Sequence, residues 1–394
     1  MKKIGIIGLG GRGLGVWSII KRLAPEFKLK AVTDIKSSED IKKILSDFGE
    51  NPENINIYNS SKDMLDMEEL DGVMVSTRCK SHTKYAIEVM NRNLPLFLEK
   101  PVSTTIDDLL LLKEFTSKEQ NYKTVVSFPL KVTPLVQQAK EIINKGDIGK
   151  PEHLYAWNNP NYGDVYYQDW YRDENETGGL WLQKATHDFD YINHLLDSNP
   201  FEICAMSAKR VFKGSMPSNK KCVDCDLMDT CKQGPRQKLI AANEISTMPR
   251  KGEFEKYPKY CSFATDTGNE DSCSAIVRYE SGVIASYNQC FFARKSAGNR
   301  GARIIGYDGT IEFDWNTNIL KVYSHHIPKV ETIEIISDMT THGGGDEILS
   351  MSFIDIVNEK AQSCSPLIDG VTSCLMCLKA KESCEERIFK AVSF

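Results

Sequence analysis

The sequence has no apolar run that approaches the roughly 18 residues of a membrane-spanning helix. It also has no long run of basic residues, no internal repeat and no low-complexity tract, and its formal net charge is −5. These absences argue against a membrane protein and against a protein that binds nucleic acid. The N-terminal residues enter an apolar strand pattern too early for a secretory signal peptide, so we expect a cytoplasmic protein.

The composition is typical of a soluble globular protein, with 41% hydrophobic and 26% charged residues. A chain of 394 residues can bury a large core and is long enough for two domains. Twelve cysteines without a secretion signal indicate thiols or metal ligands in a reducing compartment, rather than a disulfide framework.

A glycine motif stands at the start of the chain. An apolar run over residues 3–7 leads into Gly8, Gly10 and Gly13, spaced G-x-G-x-x-G, and a helical apolar pattern follows. The first glycine permits a tight turn, the second lets the backbone approach a pyrophosphate, and the third lets the helix close onto the strand. The motif predicts a dinucleotide site, and Gly11 and Arg12 lie within the same turn.

An acidic residue follows at the distance that such a site requires. Phe27–Thr33 is predicted to be a second strand, and Asp34 at its end lies 21 residues after Gly13. A carboxylate there can accept hydrogen bonds from ribose hydroxyls and would repel a 2′-phosphate, so we expect NAD rather than NADP. Lys36 works against that preference. The alternative is that Asp34 caps the helix that begins near Ser37.

The secondary-structure pattern divides the chain near residue 126. Strands alternate with helices up to that point, which predicts a Rossmann-type parallel sheet over residues 1–126. Residues 127–394 are predicted to form an α+β domain with a mostly antiparallel sheet, including a hairpin of Ser274–Glu280 and Val283–Gln289. The overall fold class is therefore α/β with two domains.

Helices are also predicted within the second part. One is expected over Gln183–Leu196 and others over residues 346–392. Asp346 follows three glycines and is predicted to be the N-cap of the first C-terminal helix.

Two further motifs connect the chain to a known family. Glu99-Lys100-Pro101 ends the predicted fifth strand, at the carboxyl edge of the sheet where ligands bind in such folds. Residues 178–190 read GGLWLQKATHDFD. With the glycine motif, these segments resemble the glucose–fructose oxidoreductase and inositol dehydrogenase (Gfo/Idh/MocA) family, whose pattern has E-K-P and then G-G-x-x-x-D-x-G-x-H-x-x-D. The resemblance covers essentially the whole chain, including residues 76–82 and 126–134.

The resemblance implies that Lys100 and His187 meet at the nicotinamide ring. It also implies cofactor contacts at the ends of the parallel strands, from Ser76, Thr77, His82, Glu99 and Lys100. Oxidation of a secondary alcohol needs a base for the hydroxyl proton, and histidine titrates in a suitable range. Lys100 could stabilise the developing alkoxide. The alternative is that His187 is a packed helical histidine without a chemical role.

The sequence departs from the family pattern next to this histidine. Gln183 replaces the aspartate that the family has four residues before His187, and Ala185 replaces a glycine. Glutamine can hydrogen-bond a sugar hydroxyl but supplies no charge. Lys184 adds a second cation, which either shares the catalytic role, binds an acidic substrate group or is a solvated helix residue.

A cysteine cluster lies in a polar segment, about residues 214–262, that reads as an insertion. Cys222 and Cys225 form a C-x2-C pair, and Cys231 and Cys261 complete four thiols that could bind structural zinc in a tetrahedral site. Free thiols, an iron–sulfur cluster or a disulfide are the alternatives.

Two other features leave alternatives open. Aromatic residues before the His187 segment line either a carbohydrate site or a sheet face or subunit interface: Tyr155, Trp157, Tyr162, Tyr166, Tyr167, Trp170 and Tyr171. His342 precedes Asp346 in a glycine-rich loop that could close over the substrate or simply lead into a helix.

The functional hypothesis is an NAD-dependent oxidoreductase that acts on a hydroxyl group of a sugar, polyol or glycoside. One variant retains NAD and cleaves a glycoside through transient oxidation. A non-catalytic NAD-binding regulator on the same fold is the alternative from another class. We expect a small carbohydrate-like substrate and a homo-oligomer, a dimer or tetramer, because the second sheet should expose one face.

Overall fold

The computed structural model describes residues 1–234, 260–336 and 342–394. The first part of the chain alternates strands and helices: β1 (Lys2–Ile7), α1 (Gly11–Leu23), β2 (Phe27–Thr33), α2 (Ser38–Asp47), β3 (Asn56–Tyr58), α3 (Ser61–Met67), β4 (Gly72–Val75), α4 (His82–Met90), β5 (Leu96–Leu98), α5 (Ile106–Thr116), α6 (Gln120–Lys123) and β6 (Thr124–Val126).

The first six strands form a parallel sheet in the order β3-β2-β1-β4-β5-β6. The strand order reverses between β1 and β4, and open α/β sheets bind ligands outside the carboxyl ends of the strands at such a switch point. The predicted parallel sheet is confirmed. Residues 4–7 of β1 and all of β4, β5 and β6 are buried, as is typical of a parallel sheet that helices cover on both faces.

The second part contains helices, longer strands and a π-helical turn: α7 (Pro134–Lys145), β7 (Pro151–Asn159), α8 (Val165–Gln168), α9 (Glu174–Thr177), the π-helical turn Trp181–Ala185, α10 (Thr186–Leu196), β8 (Pro200–Ala208), β9 (Ser272–Tyr279), β10 (Ile284–Cys290), β11 (Asn299–Gly306), β12 (Gly309–Asp314), β13 (Ile319–Ser324), β14 (Val330–Glu334), α11 (Gly345–Val357), α12 (Leu367–Glu386) and β15 (Lys390–Ala391). Short 3₁₀ turns lie at Pro52–Asn54, Cys79–Ser81, Trp170–Arg172, Cys222–Asp224, Lys295–Ala297 and His342–Gly344.

The second sheet has the strand order β14-β13-β12-β11-β7-β10-β9-β8-β15. Its pairs are antiparallel except for β7 with β10, which confirms the predicted mostly antiparallel sheet. The predicted hairpin is β9 and β10, joined by a turn in which Gly282 has a φ of +92°. No helix in the described parts of the chain is long and apolar enough to cross a membrane.

Two predictions about helices need correction. The predicted helix over Gln183–Leu196 is a π-helical turn followed by α10, so Gln183 and Lys184 lie in the wider turn. Asp346 is not an N-cap, because Gly344 occupies that position and Asp346 lies in the first turn of α11. The three glycines permit a left-handed N-cap at Gly344, with a φ of +91°, that an aspartate would adopt less readily.

The two C-terminal helices join the two sheets. α11 packs on α1 and β6, and the ring of Phe353 meets Phe97 of β5 edge-on with centroids 5.9 Å apart. α12 contacts β8 and α10 in the second part and α5 and β6 in the first. The end of the chain therefore packs against the parallel sheet that the start of the chain forms.

Candidate active site

The β1–α1 turn has room for a phosphate group where two of its glycines lie. A Cβ atom built on Gly11 would meet nothing within 4 Å, and one on Gly10 would come no closer than 3.6 Å to Ser76 O. A Cβ atom on Gly13 would lie 2.0 Å from Ser76 Oγ, and Gly8 has a φ of +91°. The open backbone at the start of α1 fits the pyrophosphate of a dinucleotide.

Asp34 lies beside this turn at the end of β2. Its carboxylate accepts hydrogen bonds from the Leu9 N–H at 2.6 Å and from Lys36 Nζ at 2.9 Å. Burial would raise the pKa of Asp34, but the bonds from Lys36 and Leu9 lower it below its usual value. Ser37, not Asp34, caps α2. An ionised Asp34 therefore remains available as an acceptor next to the glycine turn.

Ser76 and Thr77 follow β4 on the other side of the turn. Ser76 Oγ donates to the Gly8 carbonyl oxygen at 2.7 Å. The ring nitrogens of His82 lie 2.8 Å from Pro101 O and 3.1 Å from Thr77 O, so His82 joins two loops of the site. Burial lowers the pKa of His82. A direct contact between His82 and a cofactor stays a prediction.

Arg12 makes ion pairs that the sequence motif did not indicate. Its Nε donates to Glu99 Oε1 at 2.8 Å, and its two terminal nitrogens donate to the two oxygens of Asp346 at 2.8 and 2.6 Å. Nη2 also donates to Ser127 Oγ at 2.9 Å. The Arg12 side chain thus holds the start of α1 to the end of β5 and to α11.

Lys100 follows β5 at a cis Lys100–Pro101 peptide. Its Nζ donates to the backbone oxygen of Gln183 at 2.8 Å. Burial, and then the charge of Lys184, lower the pKa of Lys100 to about 8. The side-chain amide of Gln183 donates instead to Cys79 Sγ at 2.8 Å. Gln183 therefore contacts Lys100 through its backbone, not through its amide.

His187 lies in the first turn of α10 and is 8% exposed. Its Nδ1 is buried and has no hydrogen-bond partner among the residues that the structure describes. Burial, followed by the charges of Lys100 and Arg300, holds the pKa of His187 well below its usual value. The ring is therefore neutral, and it lies close enough to Lys100 for the two groups to interact.

Lys184 is buried, with 6% of its surface exposed, so the solvated alternative is wrong. Its Nζ donates to Tyr162 OH at 2.7 Å and lies 4.7 and 5.3 Å from the ring centroids of Tyr162 and Tyr166. Burial alone would lower the pKa of Lys184, but Tyr166 and Tyr162 raise it above its usual value. Two members of the aromatic cluster thus contact the site.

Another member of the cluster contacts the loop after β4. The Arg78 guanidinium lies 3.6 Å from the ring centroid of Trp170, and Trp170 stacks on Tyr171 with centroids 4.0 Å apart. Arg78 follows Thr77 in the loop after β4, so this stack connects the two parts of the site.

Arg300 of β11 also reaches this region, and no sequence motif indicated it. Its Nε donates to Asp188 Oδ1 at 2.8 Å. Asp188 is fully buried, and its other oxygen accepts from Asn158 and from the Tyr287 hydroxyl, both at 2.8 Å. Arg300 Nη2 is buried and finds no hydrogen-bond partner within residues 1–234, 260–336 and 342–394.

The predicted zinc site is not supported. In the described segments, no group of three or more His, Cys, Asp or Glu residues is arranged to hold a metal ion. Three of the four thiols act on one another: burial raises the pKa of Cys261, and Cys225 and Cys231 add to that increase. Residues 235–259 of the predicted insertion lie outside the described residues.

Family models match both parts of the chain. Residues 2–127 match an oxidoreductase family model with an NAD-binding Rossmann fold, and residues 136–312 match the GFO/IDH/MocA C-terminal domain. The putative oxidoreductase YteT of Bacillus subtilis (strain 168) is 26% identical over 384 residues, which is 89% of this chain and 87% of that protein. Inositol 2-dehydrogenase of Ralstonia nicotianae is 26% identical over 168 residues, 42% of this chain and 49% of that protein.

Solved structures show the same fold. Levoglucosan dehydrogenase in complex with NADH and levoglucosan matches with a TM-score of 0.76 and 16% identity over 100% of both chains. Myo-inositol 2-dehydrogenase from Lactobacillus plantarum matches with a TM-score of 0.68 and 16% identity over 100% of this chain and 99% of that one. Because one family model matches the parallel sheet and the other most of the second, the chain belongs to the Gfo/Idh/MocA family of NAD-binding oxidoreductases.

Proposed function

We propose that the protein is an NAD-dependent dehydrogenase that oxidises a secondary hydroxyl group of a sugar, polyol or glycoside. The pairing of Lys100 with His187 carries this proposal. Lys100 follows β5 at the carboxyl edge of the parallel sheet, and the His187 ring packs edge-on against Phe128, which follows β6, with centroids 5.8 Å apart. Burial is the largest cause that lowers the pKa of each group. Groups with shifted pKa values concentrate at active sites. The inositol and levoglucosan dehydrogenases among its relatives support this substrate class.

In this proposal His187 accepts the hydroxyl proton. Its neutral ring and unpartnered Nδ1 leave it able to bind a proton, and burial near two cations keeps it neutral in the absence of substrate. Bound NAD would supply the acceptor for the hydride of the carbinol carbon. The carbon–oxygen bond becomes a carbonyl as the proton leaves the oxygen and the hydride leaves the carbon.

Lys100 then stabilises the alkoxide that develops on the substrate oxygen. Its pKa of about 8 leaves mostly the ammonium form at neutral pH, and the Gln183 backbone oxygen fixes its direction. Gln183 has a positioning role through that backbone contact. Lys184 lies one residue further along the π-helical turn and adds charge to the same pocket.

The cofactor would be held by the turn between β1 and α1 and by the loops after β2, β4 and β5. The open backbone at Gly10 and Gly11 would face the pyrophosphate, and Asp34 would accept from the adenosine ribose, which favours NAD over NADP. Arg12, through Glu99, would support that turn without contacting the cofactor through its side chain.

We also propose a division into a cofactor domain of residues 1–126 and a substrate domain of residues 127–394. The outer face of β8 and β9 exposes Phe201, Met206 and Ile276, which supports a homo-oligomer that covers this face. Size-exclusion chromatography with light scattering tests the oligomeric state, and Met206→Lys should weaken the association.

The function is tested by NAD binding and by turnover. Calorimetry with NAD comes first, followed by NADH formation with a panel of sugars and polyols. Lys100→Met should reduce kcat by about 10²-fold or more while NAD still binds, because it removes charge stabilisation of the transition state. Lys43→Met, which changes an exposed lysine on α2, is the matched control.

Two results would replace this proposal with the alternatives. NAD that stays bound through purification, together with glycoside cleavage that yields no net NADH, would favour transient oxidation with retained NAD. If Lys100→Met leaves the activity of the protein unchanged, a regulator is favoured, because a regulator does not need the lysine for chemistry.

A further inference from the structure

The surroundings of His187 hold more positive than negative charge. Lys184 lies three residues before His187, and Arg300 contacts Asp188, the residue after it. After burial, the charges of Lys100, Arg300 and Lys184 lower the pKa of His187 most. Arg300 pairs with Asp188 at 2.8 Å. Lys100 and Lys184 have no carboxylate within 4.0 Å among the described residues, and their partners are a backbone oxygen and two tyrosines.

The excess persists when the neighbouring ion pairs are included. The charged side chains with the strongest electrostatic effects on Lys100, Lys184 and Arg300, and their ion-pair partners, are four cations and three carboxylates. The cations are Lys100, Lys184, Arg300 and Arg12, and the carboxylates are Asp188, Glu99 and Asp346. One positive charge in this set is therefore uncompensated. Gln183 contributes to this excess, because its position in the family pattern carries an aspartate.

Buried charges without a partner are costly, so such an excess points to a ligand that supplies the missing charge. Lys184 is 6% exposed, and its hydrogen bonds with Tyr162 and Tyr166 leave one of its three ammonium protons for another acceptor. Arg300 Nη2 is buried and lacks a partner in the described part of the chain. Lys184 lies four residues before Asp188, which accepts the hydrogen bond from Arg300 at 2.8 Å, so the two cations face the same region. Burial would raise the pKa of Tyr162, but the charges of Lys184 and Arg300 lower it.

We propose that the substrate is a sugar acid whose carboxylate binds between Lys184 and Arg300 while its reacting hydroxyl lies at Lys100 and His187. This inference rests on the proposed dehydrogenase function and names the substrate class for that site. Two donors from two side chains suit the two oxygens of a carboxylate.

The charge count favours a carboxylate over a phosphate. One excess positive charge is neutralised by a monoanion, whereas a dianionic phosphate ester would leave the pocket negative. The described donors are side chains, without the cluster of backbone N–H groups that phosphate sites commonly use. Sugar phosphates are therefore a comparison in the experiment.

The experiment measures kcat/KM for sugars that differ only in a carboxylate: D-glucose against D-glucuronate, and D-galactose against D-galacturonate. Glucose 6-phosphate and myo-inositol complete the set. The uronates should exceed their neutral partners by at least ~10-fold, because a hydrogen bond to a charged group has about that effect.

Lys184→Met should lower kcat/KM for the uronate by ~10- to 100-fold and change the neutral sugar much less. Lys184→Arg keeps the charge and should recover part of the loss, and Lys43→Met should change neither substrate. Unfolding temperatures of the variants, measured with and without NAD, show whether a loss reflects misfolding. Binding of D-glucuronate to the NAD-bound protein by calorimetry gives the same comparison without turnover.

The possible results distinguish a failure of the sugar-acid inference from a failure of the proposed dehydrogenase function. Turnover of neutral sugars at least as fast as uronates, or an equal effect of Lys184→Met on both, overturns the sugar-acid inference and leaves the dehydrogenase in place. A preference for glucose 6-phosphate overturns it in favour of a phosphorylated sugar. A tyrosinate signal in the ultraviolet spectrum at neutral pH, lost in Tyr162→Phe, overturns it too, because the protein would then supply its own negative charge.

Discussion

Arg12 and Asp346 lie 334 positions apart in the chain, yet they form a two-pronged ion pair with distances of 2.8 and 2.6 Å. Asp346 is 1% exposed and sits in the first turn of α11, while Arg12 sits in the first turn of α1. The pair fixes α11 against the turn that would hold the cofactor. Folding of the end of the chain therefore helps to complete the site at its start.

Asp346→Ala should destabilise the protein by about 2 kcal/mol, because it leaves the Arg12 guanidinium without its main partner. Arg12 is partly exposed and retains its ion pair with Glu99 in this variant. The loss of stability should therefore be smaller than for a fully buried ion pair. Chemical unfolding at pH 7 measures this, with Asp47→Ala at the exposed end of α2 as a control.

The same pair predicts a dependence of stability on pH. Hydrogen bonds from His342 and Arg12 outweigh burial and hold the pKa of Asp346 below its usual value. A depressed folded-state pKa contributes stability above the unfolded pKa of about 4, and that contribution is lost as the pH falls further. Stability of the wild type should decrease more steeply below pH 4 than that of Asp346→Ala. Parallel curves would contradict this assignment.

Lys100 should reduce the stability of the folded protein. Its pKa is lowered from 10.5 to about 8, so its charged form is disfavoured on folding at every pH below about 8. The penalty disappears as the pH rises from about 8 to 10.5. Lys100→Met should therefore gain about 2 kcal/mol at pH 7 without NAD, after allowance for residual solvent contact. The gain over wild type should shrink toward pH 10, and a constant gain would argue against this cause.

Lys184 should set the pH at which Lys100 loses its proton. Burial is the largest cause of the lowered pKa of Lys100, and Lys184 is the next. If ammonium Lys100 stabilises the alkoxide, kcat/KM should fall as the pH rises through about 8. Removing the charge in Lys184→Met should move this decrease to higher pH, whereas Lys184→Arg should leave it in place. A decrease at the same pH in both variants would show that Lys100 is not the group responsible.

The sequence predicted the parts of the structure that depend on local patterns. The apolar run before Gly8 and the spacing of the glycines indicate strand, turn and helix within a dozen residues, and the structure has them. The position of Asp34 beside the turn was also predicted correctly, because Asp34 directly follows the predicted second strand. Such features need no knowledge of distant contacts.

The parts that were missed depend on distant contacts or on local geometry. Asp346 comes from the far end of the chain, and Arg300 comes from a strand of the second sheet without a motif of its own. Gln183 lies in a π-helical turn, and its amide contacts Cys79. A regular helical spacing could not anticipate that contact.

Gly13→Ala tests whether the turn binds the cofactor as the motif indicates. An alanine Cβ there would lie 2.0 Å from Ser76 Oγ and 2.8 Å from Ser76 Cβ, so α1 or the loop after β4 must move. We expect NAD affinity to fall by ~10-fold or more, since the loop carries predicted cofactor contacts and the shift costs about 1–3 kcal/mol.

The matched control is Gly15→Ala, two residues along the same helix, where a Cβ would meet nothing within 4 Å. That control should raise stability by about 0.5–1 kcal/mol and leave NAD binding unchanged, because alanine favours a helix over glycine. Equal NAD affinity in both variants, measured by calorimetry, would show that the close approach of Gly13 to Ser76 does not shape the cofactor site.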